Sequence, residues 1–318
     1  MRIVFLGTPP WAAAYLQPLM DAGHAVELVL TQPDRPGKRG RTPLPPATKV
    51  EAQRLGLPVF QPERANAPEA VRRVAQARPD VLLTVAYGQI LREALLACPT
   101  VEALNVHYSL LPLLRGPAPV QHALLQGMTV TGVSLQRMAR EVDAGDIYAI
   151  DSLQIGPDEN ADSLCRRLTQ AGVALVVRSL PAIASGELTP IGQDHGRATC
   201  APLLEKPDQA LDFSQSASDV HNRVRAFAPQ PGAYCLWQGR RLGVTASTVV
   251  GESRPQAGMA GTVVEIDPER GPVIATGQGL IELLRVHPEG RREMDAASWL
   301  RGAGVRPGDV LQSAVDKR

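Results

Sequence analysis

Lysine is scarce in this chain of 318 residues: it stands only at positions 38, 49, 206 and 317. Nearly all positive charge is therefore arginine, the side chain suited to bidentate phosphate contacts, although compositional drift would leave the same bias. Net charge is scarce too. Lys and Arg total 33 against 32 Asp and Glu, a balance of +1 that excludes bulk attraction to nucleic acid or to an anionic membrane and leaves only local recognition. The four cysteines (Cys98, Cys165, Cys200 and Cys235) form no CxxC and no Cys/His group at metal spacing, and no HExxH occurs. They read as reduced thiols of a cytosolic protein that holds no metal. The first apolar stretch, Ile3 to Leu6, is too short for a signal peptide, and no run approaches the ~20 apolar residues of a membrane span. GTPPWAA offers one glycine where a nicotinamide fingerprint needs three, so NAD is not expected. Repeats and low-complexity tracts are absent.

What is present is globular stock, 44% hydrophobic and 20% charged, in a length that suits about two domains. Apolar runs at 2–7, 25–32, 78–88 and 101–109, separated by helical patterns, predict a doubly wound, mostly parallel, Rossmann-like sheet. The stretches 131–139 and 147–155 follow as a strand pair. Asn160 then caps a helix with Leu164, Leu168, Leu175, Ser179 and Ile183 on its apolar side, ending near Gly186. Pro190, Gly192, Gly196, Pro202 and Pro207 break any period beyond that point, which gives a catalytic domain over 1–189 and a linker over 190–208. Residues 209–318 turn to short strands with frequent turn residues, the texture of a small antiparallel barrel or sandwich with OB-like closure as one option.

Three blocks carry the chemistry. In NVHYSLLP (105–112) the period of two puts Asn105 and His107 on one face at a strand's carboxyl end, where α/β sites form. An amide facing a developing oxyanion and an imidazole moving a proton suit acyl transfer, while a satisfied structural histidine is the plainer alternative. Ser109 lacks the GxSxG elbow of a nucleophile. In DAGD (143–146), Asp143 and Asp146 occupy a glycine-containing turn, either as Asx-turn residues or with a carboxylate facing the Asn/His pair. Residues 35–49 hold Arg35, Lys38, Arg39, Arg41 and Lys49 without an acid, in a Pro- and Gly-rich connection that is long for its place. It reads as a solvated turn or as a loop reaching for phosphates.

Together FLGTP (5–9), TQPDRP (31–36), AYGQIL (86–91), NVH with SLLP, RGPAPVQ (115–121), TGV (131–133), DAGD and RAFAPQPGAY (225–234) resemble the folate-dependent formyltransferases. TQPDRP and the basic loop point to the branch that acts on tRNA. The resemblance implies 10-formyltetrahydrofolate as co-substrate and methionyl initiator tRNA as acceptor. It makes Asn105, His107 and Asp143 the catalytic trio, and Ser109, Leu110, Leu111 and Pro112 the folate-contacting segment. It matches Arg39 to a loop arginine used on the tRNA acceptor end, and the same basic loop offers Arg35, Lys38 and Arg41 to tRNA. With no association motif and no membrane segment in the pattern, a cytoplasmic monomer is expected. Leu113 and Leu114 depart from the basic and aromatic residues usual there, and Pro10 stands where an acid is common. Residues 205–318 carry equal numbers of basic and acidic side chains, so tRNA contact in that domain would need a patch such as Arg223, Arg225, Arg240 and Arg241. Two other readings stay open: a formyltransferase or formyl-folate hydrolase of this fold working on a small molecule, and a non-catalytic RNA-binding protein.

Overall fold

The structure is a computed structural model that describes residues 1–36, 43–251 and 259–314. In chain order its elements are β1 (Arg2–Gly7), α1 (Pro10–Ala13), α2 (Leu16–Asp21), β2 (Ala25–Leu30), β3 (Arg35–Pro36), β4 (Pro43–Leu44), α3 (Ala47–Arg54), β5 (Val59–Phe60), α4 (Pro68–Gln76), β6 (Val81–Val85), α5 (Glu93–Leu96) and β7 (Glu102–His107). They continue with α6 (Pro119–Leu125), β8 (Val130–Arg137), β9 (Ile147–Gln154), α7 (Ala161–Ser185), α8 (Ala217–Phe227), β10 (Ala233–Trp237), β11 (Arg240–Gly251), β12 (Val263–Asp267), β13 (Gly271–Ala275), β14 (Leu280–Pro288), β15 (Met294–Asp295) and α9 (Ala296–Ala303). Two compact units result. One holds Met1–Gly116, Thr131–Leu153 and Cys165–Cys200, and the other Pro117–Val130, Gln154–Leu164 and the chain from Ala201 onward. The stretch 190–208 is thus shared between the units at Cys200.

The first unit is built on a sheet in the order β5-β2-β1-β6-β7-β8-β9. The pairs β2–β5, β1–β2, β1–β6 and β6–β7 are parallel, and β7–β8 is antiparallel. This is the doubly wound, mostly parallel architecture expected from the alternating pattern. RIVFLG and VLLTV are apolar nearly throughout because helices cover the sheet and both faces of a central strand are buried. One side collects Val4, Leu6, Leu28, Leu30, Val74, Leu82 and Leu95 into a core cluster. On α7, Gly172 admits the Tyr15 ring: a Cβ there would collide with the Tyr15 hydroxyl. Tyr108 fixes the same contact, with its hydroxyl 3.3 Å from that of Tyr15 and 3.0 Å from Thr169 Oγ1.

Asn160 caps α7 as expected, its Oδ1 accepting from the Ser163 amide at 2.9 Å. Leu164, Leu168, Leu175, Ser179 and Ile183 are all buried, and Gly186 follows the helix at φ +75°. By length and composition alone α7 is long and apolar enough to cross a membrane, while Arg166, Arg167 and Arg178 keep it from being the unbroken apolar run of a span. Its burial comes from the 3.6-residue stripe just named, which faces protein.

In the second unit β10-β11-β14-β13-β12 form an antiparallel sheet. Residues 308–312 then link the two edge strands. Leu311 donates to the Gly261 carbonyl at 2.8 Å, Val263 to that of Asp309 at 2.8 Å, and Gln312 exchanges hydrogen bonds with Leu236. Linking the edges in this way gives the barrel-like closure expected from the strand texture. Helix α8, capped by Ser216 accepting from the Asp219 amide, lays Val220, His221, Val224 and Phe227 against this sheet.

Candidate active site

Strand β7 ends at His107, and its register with β8 sets the floor of the site: Asn105 lies opposite Gln136 and His107 opposite Ser134. Side chains alternate along a strand, so Asn105, His107 and Gln136 emerge on the same face. The loop after β8 brings Asp143 over them. Its Oδ1 accepts from Gln136 Nε2 at 2.9 Å and Asn105 Nδ2 at 3.3 Å. Its Oδ2 accepts from the Gly116 amide at 2.9 Å and stands 3.5 Å from His107 Nδ1. The sequence-derived trio is therefore brought together, on one nearly buried carboxylate. Asp146, its partner in DAGD, instead pairs with Arg137 at 3.4 Å in the open.

His107 is buried, and its Nε2 lies 2.8 Å from the Leu114 carbonyl. A carbonyl only accepts, so Nε2 carries the hydrogen, and the lone pair of the neutral ring is on Nδ1, toward Asp143. Two residues here hold left-handed backbone without being glycine, Leu114 at φ +58° and Asp143 at φ +53°. Such conformations cost roughly 1–3 kcal/mol and persist only where the surroundings impose them. Gly145 is needed for another reason: a Cβ there would run into the Arg137 carbonyl, so DAGD turns tightly against the strand it leaves.

The SLLP turn is divided. Ser109 and Leu111 are buried, Ser109 Oγ donating to the Leu113 carbonyl at 2.6 Å. Ser134 Oγ donates to the Ser109 carbonyl at 2.7 Å and accepts from the Leu111 amide at 3.1 Å. Leu110 and Pro112 stay partly exposed. Arg35 is exposed on β3, which pairs with β4, while Lys38, Arg39 and Arg41 lie outside the described residues. Lys49 is taken out of the basic cluster: its Nζ binds Asp34 at 2.7 Å, an acid just ahead of the acid-free stretch. In the second unit Arg225 is likewise buried, binding Asn222 Oδ1 and the Gly156 carbonyl. The expected patch thus loses that member. Arg241 stacks 4.0 Å over Tyr234, and Arg240 is exposed.

Four contributors escaped sequence reasoning: Gln136, the Leu114 carbonyl, Arg115 and Gln193. Gln136 was findable from strand register, and Arg115 stands in the RGPAPVQ block. Gln193 sits in the stretch whose prolines and glycines read as linker. Among the described residues no three His, Cys, Asp or Glu side chains gather to hold a metal ion.

Residues 1–180 match the formyl transferase family, and residues 203–304 match its C-terminal domain. The chain belongs to the formyl transferase family. Among its relatives, the methionyl-tRNA formyltransferase of Roseiflexus sp. (strain RS-1) is 42% identical over 315 residues, covering 99% of this chain and 96% of that one. The methionyl-tRNA formyltransferase of Bacillus subtilis (strain 168) is 38% identical over 311 residues, covering 98% and 97%. Similar folds occur in HypX from Aquifex aeolicus in complex with tetrahydrofolic acid, with TM-score 0.65 and 19% identity over 94% of this chain. The match takes in 47% of HypX, so this chain spans about half its length. WlaRD, a sugar 3N-formyl transferase solved with dTDP and 5-N-formyl-THF, has TM-score 0.65 and 14% identity, covering 92% of this chain and 98% of that one.

Proposed function

We propose that this chain transfers the formyl group of 10-formyltetrahydrofolate to the α-amino group of methionine esterified to initiator tRNA. The product is N-formylmethionyl-tRNA for translation initiation. The observation that carries the reading is the convergence of Asn105 and His107 on Asp143. Full-length likeness to enzymes named for this reaction supports it.

When bound, 10-formyltetrahydrofolate supplies the activated formyl group. The half-exposed Leu110 and Pro112 give apolar surface for a flat ring system, whereas Ser109 and Leu111 act from behind by holding the turn in shape. Asn105 spends one amide hydrogen on Asp143 and keeps the other for the oxygen on which negative charge gathers as an amine adds to the formyl carbonyl. His107 takes the proton shed by that amine at Nδ1, the nitrogen with the lone pair. Asp143 receives the resulting N–H and stabilises the imidazolium; the bond from the formyl carbon to N10 then breaks, and the proton held by His107 passes to that departing nitrogen, releasing tetrahydrofolate. Formyl exchange between nitrogens changes no oxidation state, so the reading includes no nicotinamide.

Arg35, Lys38, Arg39 and Arg41 contact acceptor-end phosphates in this reading, with the reacting groups in 1–189, tRNA held by 209–318 and 190–208 running from one to the other. The enzyme works as a monomer in the cytoplasm, away from membranes. None of its four cysteines is in a disulfide, which suits a reducing compartment.

The test offers 10-formyltetrahydrofolate with methionyl initiator tRNA, methionyl elongator tRNA or a small amine such as an amino-sugar nucleotide. Formyl transfer should go to the initiator tRNA. Transfer to the small amine alone, or to none, would overturn the reading.

A further inference from the structure

Gln193 lies in the irregular stretch after α7, and its side chain is buried beneath the DAGD loop. Its amide nitrogen donates to the carbonyl of Asp143 at 2.9 Å and to that of Gly145 at 2.6 Å, one on each side of Ala144. The same nitrogen stands 3.4 Å from Gln136 Oε1, whose own amide binds the Asp143 carboxylate. On its other side the Gln193 amide oxygen accepts from Arg115 Nη2 at 2.7 Å and Nε at 3.2 Å. Arg115 is buried too, and its Nη2 also reaches His195 Nδ1 at 3.0 Å. A guanidinium only donates and the two loop carbonyls only accept, so a single orientation of the Gln193 amide satisfies both sides.

Asp143 is the residue held at φ +53°, and Gln193 grips the carbonyl of that same residue. The next residue after Arg115, Gly116, donates its amide to the Asp143 carboxylate, and the preceding Leu114 supplies the carbonyl on His107. Arg115 and Gln193 therefore tie the backbone that orients His107 to the backbone that orients Asp143.

We propose that Gln193, oriented by Arg115, is a positioning residue that keeps Asp143 aligned with His107 for formyl transfer. The inference rests on the reading that this pair serves that reaction. Gln193→Glu and Gln193→Met separate positioning from mere packing. Glu keeps an acceptor for Arg115 and strengthens it to an ion pair, yet it turns an anionic oxygen toward two carbonyls. Met fills the volume and donates nothing.

Positioning predicts that both variants lower kcat about 10- to 100-fold with KM for either substrate within about twofold, measured at a temperature below each variant's melting midpoint. In an Asp143→Asn background, adding Gln193→Met should cost less than about threefold more, because residues acting through one group are not additive. The ¹⁵N ring signals of His107 should move in both single variants, without substrate. Wild-type kcat in Gln193→Glu, unmoved His107 signals, or a full additional loss in the Asp143→Asn background would each overturn the proposal. If wild-type enzyme formylates a different amine, the tRNA reading fails, and the same ratios measured on that amine still decide the role of Gln193.

Discussion

His107 donates through Nε2 to the carbonyl of Leu114 at 2.8 Å, and Leu114 holds φ at +58° to present it. The contact belongs to the backbone. Leu114 turns its side chain inward and is 1% exposed, so an apolar residue suits the position, and its departure from the family's usual residue leaves the histidine's partner in place. What the turn after SLLP contributes is shape: the Leu114 carbonyl on one side of the imidazole, and the Gly116 amide on the carboxylate that faces its other side.

Gly145→Ala should damage this arrangement without touching a reacting group. Its Cβ would collide with the Arg137 carbonyl, so the loop has to move or the strand end has to open. We expect a loss of about 1–3 kcal/mol in stability and at least a tenfold fall in kcat, read by denaturant melts and steady-state kinetics. An alanine variant unchanged in both would show that the loop tolerates displacement.

Arg39→Ala should weaken use of charged tRNA while leaving folate affinity unchanged. If Arg39 binds a phosphate, the slope of log kcat/KM against log salt should become shallower by about one unit. An unchanged rate and slope would remove Arg39 from the interface.

The second unit should lose stability in mild acid through His221. Burial holds this imidazole below its ordinary pKa of 6.5, and the nearby Arg225 adds to the effect against the Pro157 carbonyl and Asp158. The unfolded chain therefore takes up the proton first. Stability from His221 is full above about pH 6.5 and falls as pH drops below it, by at most about 1.4 kcal/mol per pH unit for one group. Urea melts at pH 7.5 and 5.5 should show a smaller decline for His221→Gln than for wild type. Equal declines would place the acid sensitivity elsewhere.

Much of the candidate site is legible in the sequence because its first two members obey a local rule. Asn105 and His107 are two residues apart on a strand, and the period of two puts them together. Asp143 was reachable through its motif. The remaining partners were hidden by distance along the chain, since Gln193 meets Asp143 across 50 residues and Arg115 across 78. Nothing in local propensity marks such pairs, and proline and glycine around Gln193 described an irregular path without revealing that its side chain is anchored. Charge is masked in the same way. Lys49 and Arg225 look available as residues in a row, yet the fold hands one to Asp34 and buries the other against Asn222 and the Gly156 carbonyl.

The central claim is that Asn105, His107 and Asp143 act on the chemical step, and single-turnover formyl transfer with saturating enzyme isolates that step. His107→Ala and Asp143→Ala should each slow it by about 10²- to 10⁴-fold while binding methionyl initiator tRNA within about twofold of wild type. Transfer at a near-normal rate in either variant, or a loss that tracks weakened tRNA binding, would contradict the account.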